Sequence, residues 1–428
     1  MLLPALVYIS VQNADATEMT SRSILRALAG VVLLVSGAWP VLAQSNACSE
    51  PQVSATAGQV DSARNALLEL PIGNGLQTDV SPRAQTAIAV MKDRLAVFID
   101  TYMKCASPEP DAAKVQADLS ALGHAYRMRQ GIISKAEEPK DLGKYGFELW
   151  FEAKSVPKDR LFAVTATFAI ECGSDTMLLI YAPKNSSWEQ VLRWESKPYK
   201  QVSGAFSAFN YGISPRDGSG NWYAVAAHLS PWCSSTWSTI YYSVLRPSPI
   251  SNQPTVLFSG SDGIWWGNED FGKLAVSQAD FDLRFHAESI DPDVHDRTWI
   301  RHFAVSGNAV RRVEPVAETA RDFADEWIVS PWNEASAWSA TDSATRLEES
   351  HERLSGLQSA ANGIFTFESI RACSDEPNHR QVELSYENSE HYDFFFQVKG
   401  GANFVLSDVD EKPDSYCDGP NELGDSGE

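Results

Sequence analysis

Basic side chains are scarce in this sequence. Lysine and arginine number 35 against 56 aspartates and glutamates, a formal net charge of −21. Nucleic acid and anionic membrane surfaces both demand a basic face, so this shortage argues against either as a partner. Cysteine is sparse as well, six in 428 residues, and no two stand in a C-x-x-C arrangement. That removes a thioredoxin-type redox motif and a zinc ribbon. No apolar run beyond residue 43 reaches the roughly 20 residues that a membrane-spanning helix needs, so no stable membrane insertion is expected of the rest of the chain. A G-x-S-x-G elbow, an H-E-x-x-H zinc helix, a phosphate-binding P-loop and a dinucleotide fingerprint are all absent. Gly424-Asp425-Ser426-Gly427 copies the tetrapeptide around a trypsin-like nucleophile. Too little chain follows Ser426 to build a binding pocket, so the match carries no triad.

What is present begins with an export signal. From Met19, Arg22 and Arg26 form a basic segment, Ala27 to Trp39 an apolar one, and Val41-Leu42-Ala43 a cleavage site before Gln44. Translation from Met19, or an elongated signal from Met1, gives the same outcome: residues 1–43 are removed and the remainder is exported, to a periplasm or outside the cell. The removed segment holds two basic and two acidic side chains (Arg22, Arg26, Asp15, Glu18), so the mature charge is unchanged. All six cysteines follow the signal, and an even count in an exported chain favours disulfides. Their clustering suggests one bridge per region: Cys48–Cys105, Cys172–Cys233 and Cys373–Cys417.

Residues 44–140 read as helical. Ser81 is a good N-cap with Pro82 in the first helical position. Ile88, Met91, Leu95, Phe98, Tyr102 and Cys105 then form one apolar stripe, and Val115, Leu119, Leu122 and Tyr126 a second after a proline break. An α-hairpin is the simplest outcome. Residues 141–316 read as all-β, a series of short β-branched or aromatic runs bounded by Gly, Pro, Asn, Asp and Ser. Four polar turns each precede a tryptophan, at Trp188, Trp222, Trp265 and Trp299. Such a recurrence fits a small propeller-like array, and an antiparallel sandwich fits the same strands. Residues 317–417 read as helices followed by four strands, an α+β domain with helices packed across an antiparallel sheet. Residues 418–428 read as a disordered acidic tail. The expected fold is therefore multidomain and mainly β at its centre, with an N-terminal α-hairpin and a C-terminal α+β domain.

Three places could hold chemistry. Asp262, Trp265, Trp266, Glu269 and Asp270 combine adjacent tryptophans with acids, the composition of a stacking platform for a sugar ring or peptide flanked by hydrogen-bonding groups. Asp291, Asp293 and Asp296 put three carboxylates within six residues, the oxygen ligands a calcium ion takes, although the loop departs from the EF-hand pattern. No other cofactor is implied. Glu348 and His351 have E-x-x-H spacing without the second copy that a di-metal site requires, and a solvated helix face is expected there. Two functions follow. One is a non-catalytic exported binding or interaction protein whose partner is a glycan, a peptide or another envelope protein. The other is a secreted hydrolase acting on a glycan or peptide through carboxylates of the β domain.

Overall fold

The computed structural model describes residues 50–71, 80–126, 144–171, 173–196, 199, 208–230, 237–248, 251, 253–265, 272–294, 297–360, 363–401 and 403–423. Three helices come first: α1 (Glu50–Leu68), α2 (Pro82–Cys105) and α3 (Ala112–Leu122). As the sequence implies, Ser81 caps α2 by accepting from Ala84 N–H; Asp111 likewise caps α3 by accepting from Lys114 N–H, a cap not singled out in the sequence. The main helical partner of α2 is α1, while α3 packs on the first strand of the following sheet. The buried stripe of α1 is Val53, Ala57, Val60, Ala63 and Leu67. Two of the five are alanines and only Leu67 is large, so the stripe is faint in the sequence.

Sixteen named strands follow, in four sheets of four. The first sheet comprises β1 (Leu149–Val156), β2 (Leu161–Ile170), β3 (Gly173–Lys184) and β4 (Ser187–Glu195). The second comprises β5 (Phe209–Ile213), β6 (Ala224–Ser230), β7 (Trp237–Arg246) and β8 (Thr255–Trp265). The third comprises β9 (Lys273–Val276), β10 (Asp280–Ala287), β11 (Arg297–Ser306) and β12 (Ala309–Arg312). Helices α4 (Ala320–Val329), α5 (Trp332–Ala335) and α6 (Ala344–Gln358) precede the fourth sheet, β13 (Ile364–Ala372), β14 (His379–Glu387), β15 (His391–Gly400) and β16 (Phe404–Asp410). Every sheet is an antiparallel meander of sequence neighbours. The sheets are open, and the chain is mainly antiparallel β.

Alternation of side chains along each strand lets the first three sheets stack. One face of the first sheet, with Phe162, Val164, Phe168 and Leu179, packs under α1–α3. Its other face, with Leu178, Ile180, Leu192 and Trp194, meets Trp222, Ala224 and Leu245 beside or within the second sheet. The far face of the second sheet, with Val225, Leu229, Ile240 and Val244, meets Phe281, Leu283, Phe285 and Phe303 of the third. The fourth sheet forms its core with α4 and α6 instead, through Phe323, Trp327, Leu347, Leu354, Leu384 and Phe396.

The tryptophan recurrence is not the structural repeat. Trp188 lies in the fourth strand of its sheet, Trp222 before a second strand, Trp265 at the end of a fourth and Trp299 in a third. Ser261–Trp265 is no turn either, since it continues β8 paired with Trp237–Tyr241. The repeat is the four-stranded meander itself. Asn185, at φ 56°, occupies the two-residue turn between β3 and β4, a left-handed position that asparagine tolerates. Beyond β16 the chain stays attached: Glu422 N–H donates to Ile370 O, and Asn421 Oδ1 accepts from Ile370 N–H. The acidic tail is thus held as far as Leu423, and residues 424–428 lie outside the described residues.

Cys373 and Cys417 form a disulfide, as their proximity in sequence implied. Cys105 is also disulfide-bonded. Cys48, Cys172 and Cys233 lie outside the described residues. No described helix is long and apolar enough to cross a membrane.

Candidate functional site

Helix α4 is buried almost all round, and three of its buried residues are acids: Asp322, Asp325 and Glu326. Buried carboxylates must find cations or hydrogen-bond donors. They find them on the third sheet. Strand β11 reads Arg297-Thr298-Trp299-Ile300-Arg301-His302-Phe303, so alternate residues put Arg297, Trp299, Arg301 and Phe303 on one face. Arg312 joins from β12.

Glu326 is the hub. Its Oε1 accepts from Arg301 at 2.8 Å and lies 2.6 Å from Arg312, and its Oε2 accepts from Arg297 at 3.0 Å. Ser330 Oγ donates to the same carboxylate at 3.1 Å. Burial alone would keep this acid protonated, but the three guanidiniums outweigh it and hold Glu326 down at about 2. Beside it Asp325, also buried, is pushed up to about 6 by desolvation despite Arg297 at 3.3 Å.

Asp262 of β8 completes the arrangement from the second sheet. Arg301 grips it with two parallel bonds, Nη2 to Oδ1 at 2.6 Å and Nε to Oδ2 at 3.0 Å, the bidentate geometry for which a guanidinium is suited. Tyr242 Oη donates to Oδ2 at 2.9 Å. Burial and Asp262 both raise the Tyr242 hydroxyl well above its ordinary value, so it stays a donor. Burial opposes the charge of Arg301, yet Glu326 and Asp262 overcome it and raise that guanidinium further. The Arg297 and Arg301 guanidiniums lie 4.4 and 4.3 Å from the centre of the Trp299 ring.

Asp262, Tyr242, Trp299, Arg301, Arg312 and Glu326 line a cavity of about 280 Å³ with Phe258, Phe303, Pro331 and the half-buried Glu334, whose Oε2 lies 3.2 Å from Arg312 Nη1. The walls combine fixed planar polar groups with aromatic rings. The volume sits at the lower edge of the roughly 300–1,000 Å³ typical of small-molecule sites.

Of the five residues that the sequence offers as a stacking platform with flanking acids, only Asp262 is placed here. Trp265 ends β8 with its backbone paired to Trp237, and Trp266, Glu269 and Asp270 lie outside the described residues. In the calcium candidate, Asp291 is buried and both its oxygens are occupied. Oδ1 accepts from Asp293 N–H at 2.9 Å and Oδ2 from Phe367 N–H at 2.8 Å, tying this turn to β13. Asp293 is exposed and Asp296 lies outside the described residues. Among the described residues, Asp291 and Asp293 do not gather with a third metal-ligating side chain. Glu348 and Glu352 face solvent as expected, but His351 does not. It is buried between Trp327 and Trp332, its Nε2 bonded to Ser330 O.

Apart from Phe258, which shares β8 with Asp262, the cavity residues come from five further elements (β7, β11, β12, α4 and α5) and the segment linking α4 to α5, with no spacing to betray them. A signal was nonetheless present: arginines alternating with aromatics in a strand, and an Asp-Glu pair inside an apolar helix, both of which must be paired if buried. Compared with known protein families and with curated proteins, the chain matches none.

Proposed function

We propose that this is a non-catalytic binding protein of an exported compartment, and that the cavity between Asp262, Arg301, Arg312 and Glu334 takes a small polyhydroxylated ligand such as one sugar residue of a glycan. The observation that carries the reading is the locking of the cavity's buried carboxylates. Glycoside hydrolysis needs one carboxyl with a raised pKa to protonate the leaving group and a second to act as base or nucleophile. Glu326 is driven the other way by three arginines, and Asp262 is clamped in two bonds to Arg301. Immobile, hydrogen-bond-ready groups beside Tyr242, Phe258 and Phe303 favour recognition of hydroxyls over turnover. A protein partner is less favoured. Among the described residues, the large exposed apolar side chains are spread over α2 (Val90 and Val97), Tyr126, β8 (Val256), β13 (Ile364), β16 (Val405) and the chain after it (Tyr416 and Leu423), rather than gathered on one element as the patch of a protein partner would be.

A thermal-shift screen of the mature protein with mono- and oligosaccharides, and with peptides as the contrasting arm, tests this. A ligand at 100 times its Kd adds about 2.7 kcal/mol of stability. A saccharide shift that Glu334→Gln diminishes is expected. Peptide shifts alone, or no saccharide shift, would overturn the proposal.

A further inference from the structure

On the face of the fourth sheet turned away from its helices, His379, Gln381 and Gln397 are buried together under the chain that follows β16. Their hydrogen bonds can be oriented from one fixed point. Asp414 N–H, an unambiguous donor, points at Gln381 Oε1 at 2.7 Å. Gln397 Nε2 therefore donates to that same oxygen at 3.1 Å, which turns Gln397 Oε1 toward His379 Nε2 at 2.9 Å. The other ring nitrogen, Nδ1, faces Asp375 at 2.8 Å. Cys417 Sγ lies 3.8 Å from the same Gln397 oxygen. Nitrogen, oxygen and sulfur thus converge on one small space, and Cys373 Sγ is bonded to Cys417 at its edge. A ligand atom from each of Cys373, His379 and Cys417 lies within 4.8 Å of the other two.

That donor set is a metal site with one bond too many. Structural zinc is held tetrahedrally by thiolates at about 2.3 Å and imidazole nitrogen at about 2.0–2.1 Å. The imidazole of such sites commonly donates its second N–H to a carboxylate. His379 already has that carboxylate in Asp375. We propose that Cys373, Cys417, His379 and Gln397 form a redox-gated site that takes a zinc ion when the Cys373–Cys417 disulfide is reduced. A dithiol reductant supplies two electrons and is itself oxidised to a disulfide. The S–S bond breaks and two protons complete the Cys373 and Cys417 thiols. Zinc then displaces both thiol hydrogens and the hydrogen on His379 Nε2 to solvent, while Nδ1–H stays with Asp375. Gln397 Oε1, which had accepted from Nε2, becomes the fourth ligand. The oxidised protein cannot bind this way, because its sulfurs are spent on each other.

The test uses the full mature chain with cobalt(II) as a spectroscopic stand-in for zinc, oxidised and after reduction. The control is Cys373→Ser/Cys417→Ser, which keeps the other four cysteines. The reduced wild type is expected to bind one equivalent more than the control, with a thiolate-to-cobalt absorption band that the control and the oxidised protein lack. Asp375→Asn, which leaves every ligand in place, should weaken the metal about 10- to 100-fold. Equal metal uptake by the reduced wild type and the double variant would overturn the proposal, as would uptake by the oxidised protein matching the reduced.

Discussion

Glu326→Ala is the perturbation from which the structure predicts most. The carboxylate is 1 % exposed and accepts from Arg297, Arg301, Arg312 and Ser330. Deleting it strands buried guanidinium groups, and removing one partner of a buried ion pair costs about 3–5 kcal/mol. Residues Asn46–Glu428 form one compact unit. At about 2.1 cal/mol/K of unfolding entropy per residue, roughly 380 residues give about 0.8 kcal/mol/K. The expected fall in Tm is therefore about 4–6 °C in differential scanning calorimetry at pH 7. The sign with pH follows from the depressed folded-state pKa. The contribution of Glu326 is fully present above the ordinary glutamate value near 4.5 and disappears as pH falls through about 2. The gap between variant and wild type should narrow below pH 4. Replacing the acid and a partner together, as Glu326→Met/Arg301→Met, should cost less than the two single changes summed, since no unpaired charge is then left between that pair. A Tm change under 1 °C for Glu326→Ala, or strict additivity in the double variant, would refute the view that this network is a desolvated, mutually dependent unit.

Other expectations are narrower. Glu314 is pushed up to about 7 by burial, so its ionisation costs stability increasingly as pH rises from 4.5 through 7; Glu314→Gln should stabilise by about 1 kcal/mol at pH 8, after discounting for its partial exposure, and be neutral at pH 4 in urea melts. A Cβ on Gly260 would stand 2.5 Å from the Tyr242 ring. Gly260→Ala should therefore cost about 1–3 kcal/mol by overpacking and weaken any cavity ligand by displacing the hydroxyl bonded to Asp262, which a paired stability and binding titration would read. Cys373→Ser/Cys417→Ser opens a loop of 44 residues, worth about 4 kcal/mol by chain entropy, and chemical denaturation under oxidising conditions should register the loss.

Where periodicity was strong, the sequence was legible. The apolar stripe from Ile88 to Cys105 is α2, and the apolar alternation Phe281, Leu283, Phe285, Ala287 within the stretch read as β is the buried face of β10. Helix then strand after residue 317 is likewise the order found. Strands β5 and β9 are only five and four residues long, too short for a period to show. Helix α1 lies in the stretch read as helical, but its stripe of Val53, Ala57, Val60, Ala63 and Leu67 does not stand out there, being built mostly of alanine and valine. The cavity was legible only at Asp262. Its other members become neighbours when the second sheet meets the third and α4 packs against β11, and no local pattern encodes that meeting. His351 was misjudged for a related reason: the glutamates around it mark a wet face, but its own side of α6 turns toward two tryptophans.

The meander order of the sheets also bears on how the chain reaches this structure. Each strand pairs with the one before or after it, so the loops that must close to form any one sheet are short, and short closures are the fast ones. A sheet can assemble from its own stretch of chain without waiting for a distant segment. The cavity network and the strap after β16 are different, because they join parts far apart in sequence. Folding should therefore run from the individual sheets to their stacking, with the Arg–Glu network and the Cys373–Cys417 link completed last.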